Sequence, residues 1–445
     1  MVEENQAPHQ SAKRVLEIHP IVLCIIAIVL FVVGACSGYW HWKAPYVDWL
    51  KHYAILHDLV MYDWPVCYEM FGETRMLSYY IGIYLLPALV GKIFGGCMVA
   101  EITMGFYLVA LSWCVVILIL YYCNCNTGWK QMLCLLFVFF FYGMSVPCHK
   151  LHALAGAVGG NHVISADLPN IYYLHIRIPL ELLSVYIQGL VPLGVFLCLL
   201  IIDKPIQEIG LYLFPTLLFS PFMCVGIFLL FFIKAILDML RKQLSFREIF
   251  TASNIICLIA GLLLLIYFSG NFLLEKPGNT GFSVVKIMNL RNLFVMLSFC
   301  LFMFGFHLMI VFKNFCMESL FISLCISLWL VPFFTMGIYN DWFMNVSIPL
   351  SFLLSFYVWR YLNSRGSVVF KFILSLMFII GVWGSSYEAV SLVEHAVESP
   401  CAVYRTTSLL DYINHEIPTE RMAYRYNYVS GDVSNDVFYK YVSSR

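Results

Sequence analysis

The stretch IHPIVLCIIAIVLFVVGACSG, residues 18–38, carries no Asp, Glu, Lys or Arg and decides the fold class. A bilayer core about 30 Å thick needs about 20 apolar residues in a helix, and a helix satisfies its own backbone groups in lipid. A signal-peptide core is typically shorter, and more apolar stretches follow. Residues 18–38 are therefore predicted to remain as the first membrane helix of an all-α integral membrane protein.

The composition of the whole chain agrees with this prediction. Of its 445 residues, 61% are hydrophobic and 12% are charged, and the mean hydropathy is +0.83. Soluble domains carry about 25% charged residues and about 45–50% apolar ones, so lipid must cover part of this chain. The formal net charge is zero, which argues against a nucleic-acid partner because no basic excess neutralises phosphates. The 16 cysteines form no CxxC pair and lie mostly in apolar runs.

Hydropathy predicts about ten or eleven transmembrane helices within residues 1–384. The candidate spans are residues 18–38, 76–96, 98–122, 131–146, 179–202, 210–234, 252–269, 292–312, 317–337, 346–362 and 368–384. Residues 385–445 are predicted to be a small extracytoplasmic tail, where Tyr and Val alternate near residue 426 and could form a cap on the helices.

Positive charges orient the chain, because loops rich in Lys and Arg stay in the cytoplasm. Lys13 and Arg14 place the N-terminus there, and the basic loop 234–247 follows the same rule. Residues 147–178 leave two alternatives. A simple count of spans puts them inside, whereas a short or broken span, at 131–146 or 210–234, would put them outside.

The first external loop, residues 39–75, is the most informative stretch. Apolar residues recur at helical spacing between residues 47 and 61, which predicts an amphipathic helix in the membrane interface. On that helix Asp48, Lys51 and His52 share one face. Asp48 would begin the helix, where a carboxylate also caps backbone N–H groups. The alternative is that Asp48 is only a cap and that Lys51 and His52 are surface residues.

Two further blocks accompany this loop, namely LSYYIGIYLLPALVGK, residues 77–92, and YNDWFMNVSIP, residues 339–349. An Asp at the start of the first external loop, interface helices and a Pro- and Lys-containing second block resemble the GT-C superfamily of membrane glycosyltransferases. Residues 339–349 are similar to an external motif of bacterial membrane proteins of this type. Trp49 stands where many members have a second carboxylate, and Asn345 where related bacterial proteins often have Arg.

The resemblance implies transfer of a sugar from a polyprenyl-phosphate donor to a glycan or lipid acceptor at the external face. Asp48 is then the catalytic base that takes the acceptor proton, with inversion at the anomeric carbon. His52 would orient Asp48 or contact the phosphate. Cationic side chains would bind the departing phosphate, unless they are anchors that reach toward the headgroups. The candidate substrate-binding residues are Lys51, His52, Arg75, Arg177, Arg291, Asn340 and Asp341, the last two binding the acceptor or capping a helix.

The resemblance also bears on cofactors and location. No spacing of residues fixes a cofactor, but some GT-C enzymes use a divalent cation, so Mg²⁺ or Mn²⁺ bound by Asp48 with Asp58, Asp63 or Asp167 is an alternative. The predicted location is the bacterial cytoplasmic (inner) membrane.

Other function classes stay open. A transporter or flippase for a lipid-linked saccharide needs polar groups along the middle of its spans. Mid-span ionisable residues are few, with Glu101, Glu181 and His307 as the main ones, so the sequence favours chemistry at the interface. A polymerase or ligase of surface polysaccharide would be expected to have a longer late external loop, and a non-catalytic membrane protein is the fourth alternative.

Overall fold

The protein is an all-α integral membrane protein. The computed structural model describes residues 16–40, 45–46, 48–70, 72–144, 179–272, 282–284, 290–336, 340–399, 407–417 and 426–441. Among these residues, seven helices are long and apolar enough to cross a bilayer, and four more apolar helices are shorter. The predicted fold class is confirmed.

The helices are numbered in chain order. Those before residue 220 are α1 (Pro20–Ser37), α2 (Trp49–Met61), α3 (Gly82–Phe94), α4 (Cys97–Cys123), α5 (Gly128–Phe139), α6 (Glu181–Ser184), α7 (Leu190–Ile201) and α8 (Pro205–Thr216). Those after it are α9 (Pro221–Leu240), α10 (Phe246–Ile249), α11 (Ala252–Phe272), α12 (Leu290–Cys300), α13 (Phe306–Phe315), α14 (Ser319–Leu330), α15 (Asp341–Leu362), α16 (Val368–Glu398), α17 (Leu409–His415) and α18 (Val437–Tyr441).

Short elements complete the chain. A π-helical turn, Leu301–Gly305, joins α12 to α13, and 3₁₀ turns lie at Ile187–Gly189 and Val331–Phe333. The strands are β1 (Cys67–Met70), β2 (Glu73–Leu77), β3 (Ser283–Val284), β4 (Phe334–Thr335) and β5 (Val429–Asp432).

Helix α15 is the central helix of the bundle. Most of its residues are buried, and it packs against α5, α9, α13 and α14. Its serines satisfy their hydroxyls within the helix, as where Ser351 Oγ donates to Ser347 O at 2.9 Å and Ser355 Oγ to Phe352 O at 2.7 Å. Helices α1 and α16 instead expose many large apolar side chains, which is typical of helices that contact lipid.

One end of the bundle, called the site end, gathers the first loop and several helix ends. Tyr39, just after α1, donates its hydroxyl to Leu183 O at 2.8 Å. Gly82 N, at the start of α3, donates to Leu218 O at 2.8 Å. β3 pairs with β4, which places the end of α14 beside the segment before α12.

The other end, called the opposite end, is held by a separate set of contacts. Gln131 Nε2 donates to Glu17 O at 2.7 Å, so the starts of α1 and α5 lie together. Arg360 and Glu318 form an ion pair at 2.8 Å between the end of α15 and the start of α14. The basic loop after α9 also lies here, since Arg241 donates to Met317 O. The positive-inside rule predicts that this end faces the cytoplasm.

The span predicted at residues 76–96 does not cross the bundle, which is a correction. Helix α3 has 13 residues, about 20 Å at 1.5 Å per residue. Its far end also lies at the site end, because Lys92 Nζ donates to Tyr62 O at 2.7 Å in the first loop. One face of α3, with Ile83 and Ala88, is buried where the helix packs on α2 and α4, whereas Leu86, Leu89, Ile93 and Phe94 on the rest of the helix are exposed.

The span predicted at residues 210–234 is two passes rather than one. α8 starts at the opposite end, where Thr251 Oγ1 donates to Gln207 O at 2.9 Å. The turn after it reaches the site end, where Tyr186 Oη and Ser220 Oγ lie 2.7 Å apart. Helix α9 then runs back to the opposite end, where the basic residues of the predicted cytoplasmic loop follow it.

These two corrections compensate each other in the count of spans, since one predicted span is lost and another becomes two. Residues 145–178 lie outside the described part of the chain. The chain leaves α5, which starts at the opposite end, and is next described at Pro179, at the site end.

The C-terminal tail forms part of the first loop's structure. β5 is the third strand of an antiparallel sheet in the order β1–β2–β5. Arg75 pairs with Asp432 and Leu77 with Val429 across β2 and β5. The last long helix, α16, extends past the predicted boundary at residue 384 and ends at Glu398.

Candidate active site

Asp48 lies at the N-terminal end of α2, on the site end of the bundle. It occupies the N-cap position, but its side chain caps no backbone N–H. Instead it accepts a hydrogen bond from Lys51 Nζ at 2.6 Å. The Asp48 side chain is 41% exposed and that of Lys51 only 9%. The result is an ion pair whose carboxylate faces outward and whose ammonium is buried beneath it.

His52 faces the protein interior rather than the exposed carboxylate. Its Nε2 lies 3.1 Å from Val185 O, and its Nδ1 lies 2.6 Å from Tyr84 Oη. A carbonyl oxygen only accepts, so Nε2 carries the proton and Nδ1 accepts from the tyrosine hydroxyl. Gln188 Nε2 in turn donates to Tyr84 Oη at 3.2 Å. Both nitrogens are thus occupied, which differs from the predicted contact with phosphate.

Burial fixes the charge state of this histidine. The imidazole is 1% exposed. The pKa of His52 is lowered to about 3, mainly by desolvation and next by the positive charge of Lys51, with Asp48 and the hydrogen bond to Val185 opposing both. His52 is therefore neutral at physiological pH and serves to position α2.

A short run of carbonyl groups after residue 182 fixes the start of α2. Trp49 Nε1 donates to Ser184 O at 2.7 Å, next to the Val185 carbonyl that His52 uses. The neighbouring carbonyl of Leu183 accepts from Tyr39. These bonds hold the residues on either side of Asp48, so its carboxylate has a defined position. The predicted interfacial helix is therefore largely enclosed by protein.

Four tyrosines form a row beside Asp48, called the tyrosine row. Tyr79 and Tyr80 are stacked with ring centroids 4.0 Å apart. Tyr79 and Tyr428 are 5.2 Å apart, and Tyr428 and Tyr412 are 6.4 Å apart. Tyr79 and Tyr428 are buried in the middle, whereas Tyr80 and Tyr412 are half-buried at the ends. The row combines the end of β2 with two segments of the tail.

Asp48 lies near this row, because Tyr84, four residues after Tyr80, contacts His52 one turn along α2 from Asp48. Burial raises the pKa of Tyr412 to about 12, and the negative charge of Asp48 is the next cause. Burial also raises the pKa of Tyr79 and Tyr428 well above the usual value, with neighbouring tyrosines and Asp48 adding to the effect. All three hydroxyls therefore stay protonated and can donate hydrogen bonds near the carboxylate.

Asp58 fastens the tail to α2. This carboxylate is fully buried, and its Oδ2 accepts from Tyr68 Oη at 3.0 Å and from Leu409 N at 2.8 Å. Its Oδ1 lies 2.9 Å from His57 Nδ1. One carboxylate thus joins α2, β1 and α17, and it holds Tyr412 on α17 next to the site.

Arg75, like Asp58, connects the first loop to the tail, in this case through the sheet. Its Nη1 donates to Ser430 O at 3.0 Å, its Nη2 lies 2.5 Å from Glu73 Oε2, and its guanidinium lies over the Tyr426 ring at 5.1 Å. The residue is 6% exposed. Its position differs from the predicted one, since it ties β2 to the tail instead of presenting its charge to a phosphate.

The second sequence block lies at the start of α15. Asn340 occupies the N-cap with a left-handed backbone, φ 54°, and its Oδ1 accepts from Phe343 N at 3.3 Å. Asp341 is the acidic residue of the first helical turn. The capping alternative is confirmed for Asn340.

Two predicted arginines cannot be placed in the site. Arg291 lies in the first turn of α12, but its side chain is outside the description, and Arg177 lies outside the described residues altogether. Of the carboxylates considered for a divalent cation, Asp58 is already engaged by Tyr68 and the tail. Within the described ranges, no three His, Cys, Asp or Glu side chains are grouped as they would be around a metal ion.

The tyrosine row is the part of the site that sequence reasoning missed. Tyr79 and Tyr80 were visible within the resembling block, and Tyr428 within the alternating tail. Nothing in either stretch indicates that the two meet, because the contact depends on how β5 pairs with β2.

Comparisons of the chain with protein family models, with curated proteins and with solved structures find no match. The function of the site is therefore inferred from its own residues.

Proposed function

We propose that the chain is a membrane glycosyltransferase of GT-C type, which moves a sugar from a polyprenyl-phosphate donor to an acceptor at the site end. The observation that supports this proposal is the outward-facing carboxylate of Asp48, held at 2.6 Å by the buried ammonium of Lys51. A base and a phosphate-binding cation are the two groups that such a transfer needs.

In the proposed reaction the acceptor hydroxyl loses its proton to a carboxylate oxygen of Asp48. The acceptor oxygen attacks the anomeric carbon while the bond between that carbon and the phosphate oxygen breaks. The lipid phosphate leaves with the bonding electron pair and is the good leaving group of the reaction. Attack from the face opposite the phosphate inverts the anomeric configuration.

Lys51 has two roles in this scheme. In the free protein its ammonium neutralises Asp48, which keeps a half-exposed carboxylate beside an apolar core at low cost. With donor bound, the ammonium stabilises the negative charge that develops on the departing phosphate. His52, neutral and bonded to Tyr84, keeps the α2 backbone in place.

The test is a transfer assay with purified protein and polyprenyl-phosphate sugars, comparing wild type with Asp48→Asn. The amide oxygen still accepts from Lys51, so the variant should fold, but it removes the base. We expect transfer to fall by at least about 100-fold. Asp203→Asn, an exposed change at the opposite end, is the matched control and should keep wild-type activity.

Wild-type activity in Asp48→Asn, with the same melting temperature and expression, would remove Asp48 from the reaction. Sugar transfer with retention of the anomeric configuration would contradict the single displacement.

One observation favours a transporter as the second candidate. His307 is 1% exposed within a membrane span, directly after the π-helical turn Leu301–Gly305. Buried ionisable residues and π-helical turns in spans often mark transport pathways. Movement of a lipid-linked saccharide across liposomes without covalent transfer would support this candidate and contradict the transferase.

A further inference from the structure

The end of the tyrosine row at Tyr412 lies among exposed polar residues, which bears on what the row binds. Its outer member, Tyr412, lies on α17, whose neighbouring residues Asp411, His415 and Glu416 are exposed. A polyprenyl donor is anchored in lipid and reaches Asp48 from the membrane. A partner that contacts α17 therefore reaches Asp48 from the aqueous side.

Flat aromatic rings beside a carboxylate are suited to a sugar. The C–H face of a pyranose ring packs on an aromatic ring, and tyrosine hydroxyls and carboxylates hydrogen-bond to its hydroxyl groups. Tyr80 and Tyr412 are half-buried, so part of each ring is available at either end of the row. Tyr84, four residues after Tyr80, contacts His52 one turn along α2 from Asp48, and Asp58 ties the start of α17 to the same helix, so both ends of the row lie close to α2.

We infer that the acceptor is a glycan and that the tyrosine row, with Tyr412 of the tail as its outer member, seats one of its sugar rings beside Asp48. This inference rests on the proposed transferase function and narrows its acceptor from glycan or lipid to glycan. Tyr79 and Tyr428, buried in the middle of the row, hold the outer rings in position.

The experiment measures binding rather than turnover. The protein is placed in nanodiscs free of sugar-containing detergents, and saturation-transfer NMR is recorded with methyl glycopyranosides of glucose, galactose, mannose and N-acetylglucosamine. We expect at least one glycoside to bind through its ring C–H protons. Tyr412→Leu should weaken its binding about tenfold.

Matched variants separate a binding role from a structural one. Tyr412→Phe keeps the ring and should retain most of the binding. Tyr441→Leu changes an exposed tyrosine on α18 of the same tail and should bind as wild type does. Unchanged binding in Tyr412→Leu, or no binding of any of the four glycosides, would overturn the inference.

Asp48→Asn separates this inference from the proposed function. Binding of the glycoside in this variant, lost with Tyr412→Leu, supports the sugar seat whether or not the wild type transfers sugar. Absence of transfer by the wild type in the separate assay would contradict the transferase alone. Transfer to a lipid acceptor, with no glycoside bound, would overturn the inference and leave the transferase standing.

Discussion

Asp58 shows how a single buried carboxylate can hold distant parts of the chain together. Its oxygens accept from the hydroxyl of Tyr68 and the backbone of Leu409, which lies 351 residues away along the chain. A buried charge that loses a partner is costly, whereas one with good hydrogen bonds is tolerated. The position of the tail therefore depends on this carboxylate.

Asp58→Asn should loosen the tail. The amide has one acceptor oxygen and two N–H donors, so at least one of the donors around Asp58 loses its acceptor. We expect the free energy of unfolding to fall by about 2–3 kcal/mol. Limited proteolysis should show faster cleavage of the tail than in wild type or in the exposed control Asp203→Asn. Equal cleavage rates in all three proteins would show that Asp58 does not fasten the tail.

The residues of the site were only partly predictable. The spacing of Asp48 and Lys51 at i and i+3 correctly placed them together, because that spacing follows from helix geometry alone. His52 shares the same spacing but faces the interior, since its partners Tyr84 and Val185 come from other elements. Periodicity locates a helix face but does not determine what packs against it.

At the scale of the element, His52 on α2 makes the stability of the fold depend on pH. Burial lowers the pKa of His52 from 6.5 to about 3, so between these values the unfolded chain binds a proton that the folded protein excludes. The neutral imidazole contributes fully to the free energy of unfolding above pH 6.5. This contribution is lost as pH falls toward 3, and the free energy of unfolding then changes by at most about 1.4 kcal/mol per pH unit.

His52→Gln should therefore flatten the pH dependence of stability. The glutamine side chain does not titrate and can still donate toward Val185. Thermal unfolding followed between about pH 7.5 and about pH 5 should show a smaller decrease in melting temperature than in wild type. His415→Gln, on the exposed side of α17, is the control. A variant with the wild-type slope would assign the pH dependence to other groups.

Helix α3 and the α8–α9 pair show where hydropathy loses information. Hydropathy registers apolar residues but not where a helix ends, so α3 was predicted to cross although it has only 13 residues and its last turn is bonded to the first loop. Ser220 and Pro221 separate α8 from α9, and Ser220 accepts from Met223 N as the cap of the second helix. The sequence shows this interruption, but the two helices, of 12 and 20 residues, are both apolar and were therefore predicted as a single span.

At the scale of the whole molecule, the corrected route of the chain makes a prediction about sidedness. The turn Gly95–Gly96 after α3 should lie on the same side as the site, and the turn at Asp203–Lys204 on the other side. A short protease site inserted in each turn distinguishes the two sides in sealed vesicles of known orientation. External protease should cut at residues 95–96 in vesicles that keep the site outside, and at 203–204 only after the bilayer is opened. Cleavage at both positions in sealed vesicles would contradict the route.

The pairing of β2 with β5 has a consequence for biogenesis. Arg75 and Ser430, which are hydrogen-bonded, are 355 residues apart in the chain. A membrane protein inserts helix by helix during translation, and a contact between early and late segments must wait for the late one. The first loop is thus synthesised early and stays incomplete until residue 432 has left the ribosome and crossed to its side. Partial chains released by premature termination would carry Asp48 yet lack half of the tyrosine row, so only finished molecules would gain function.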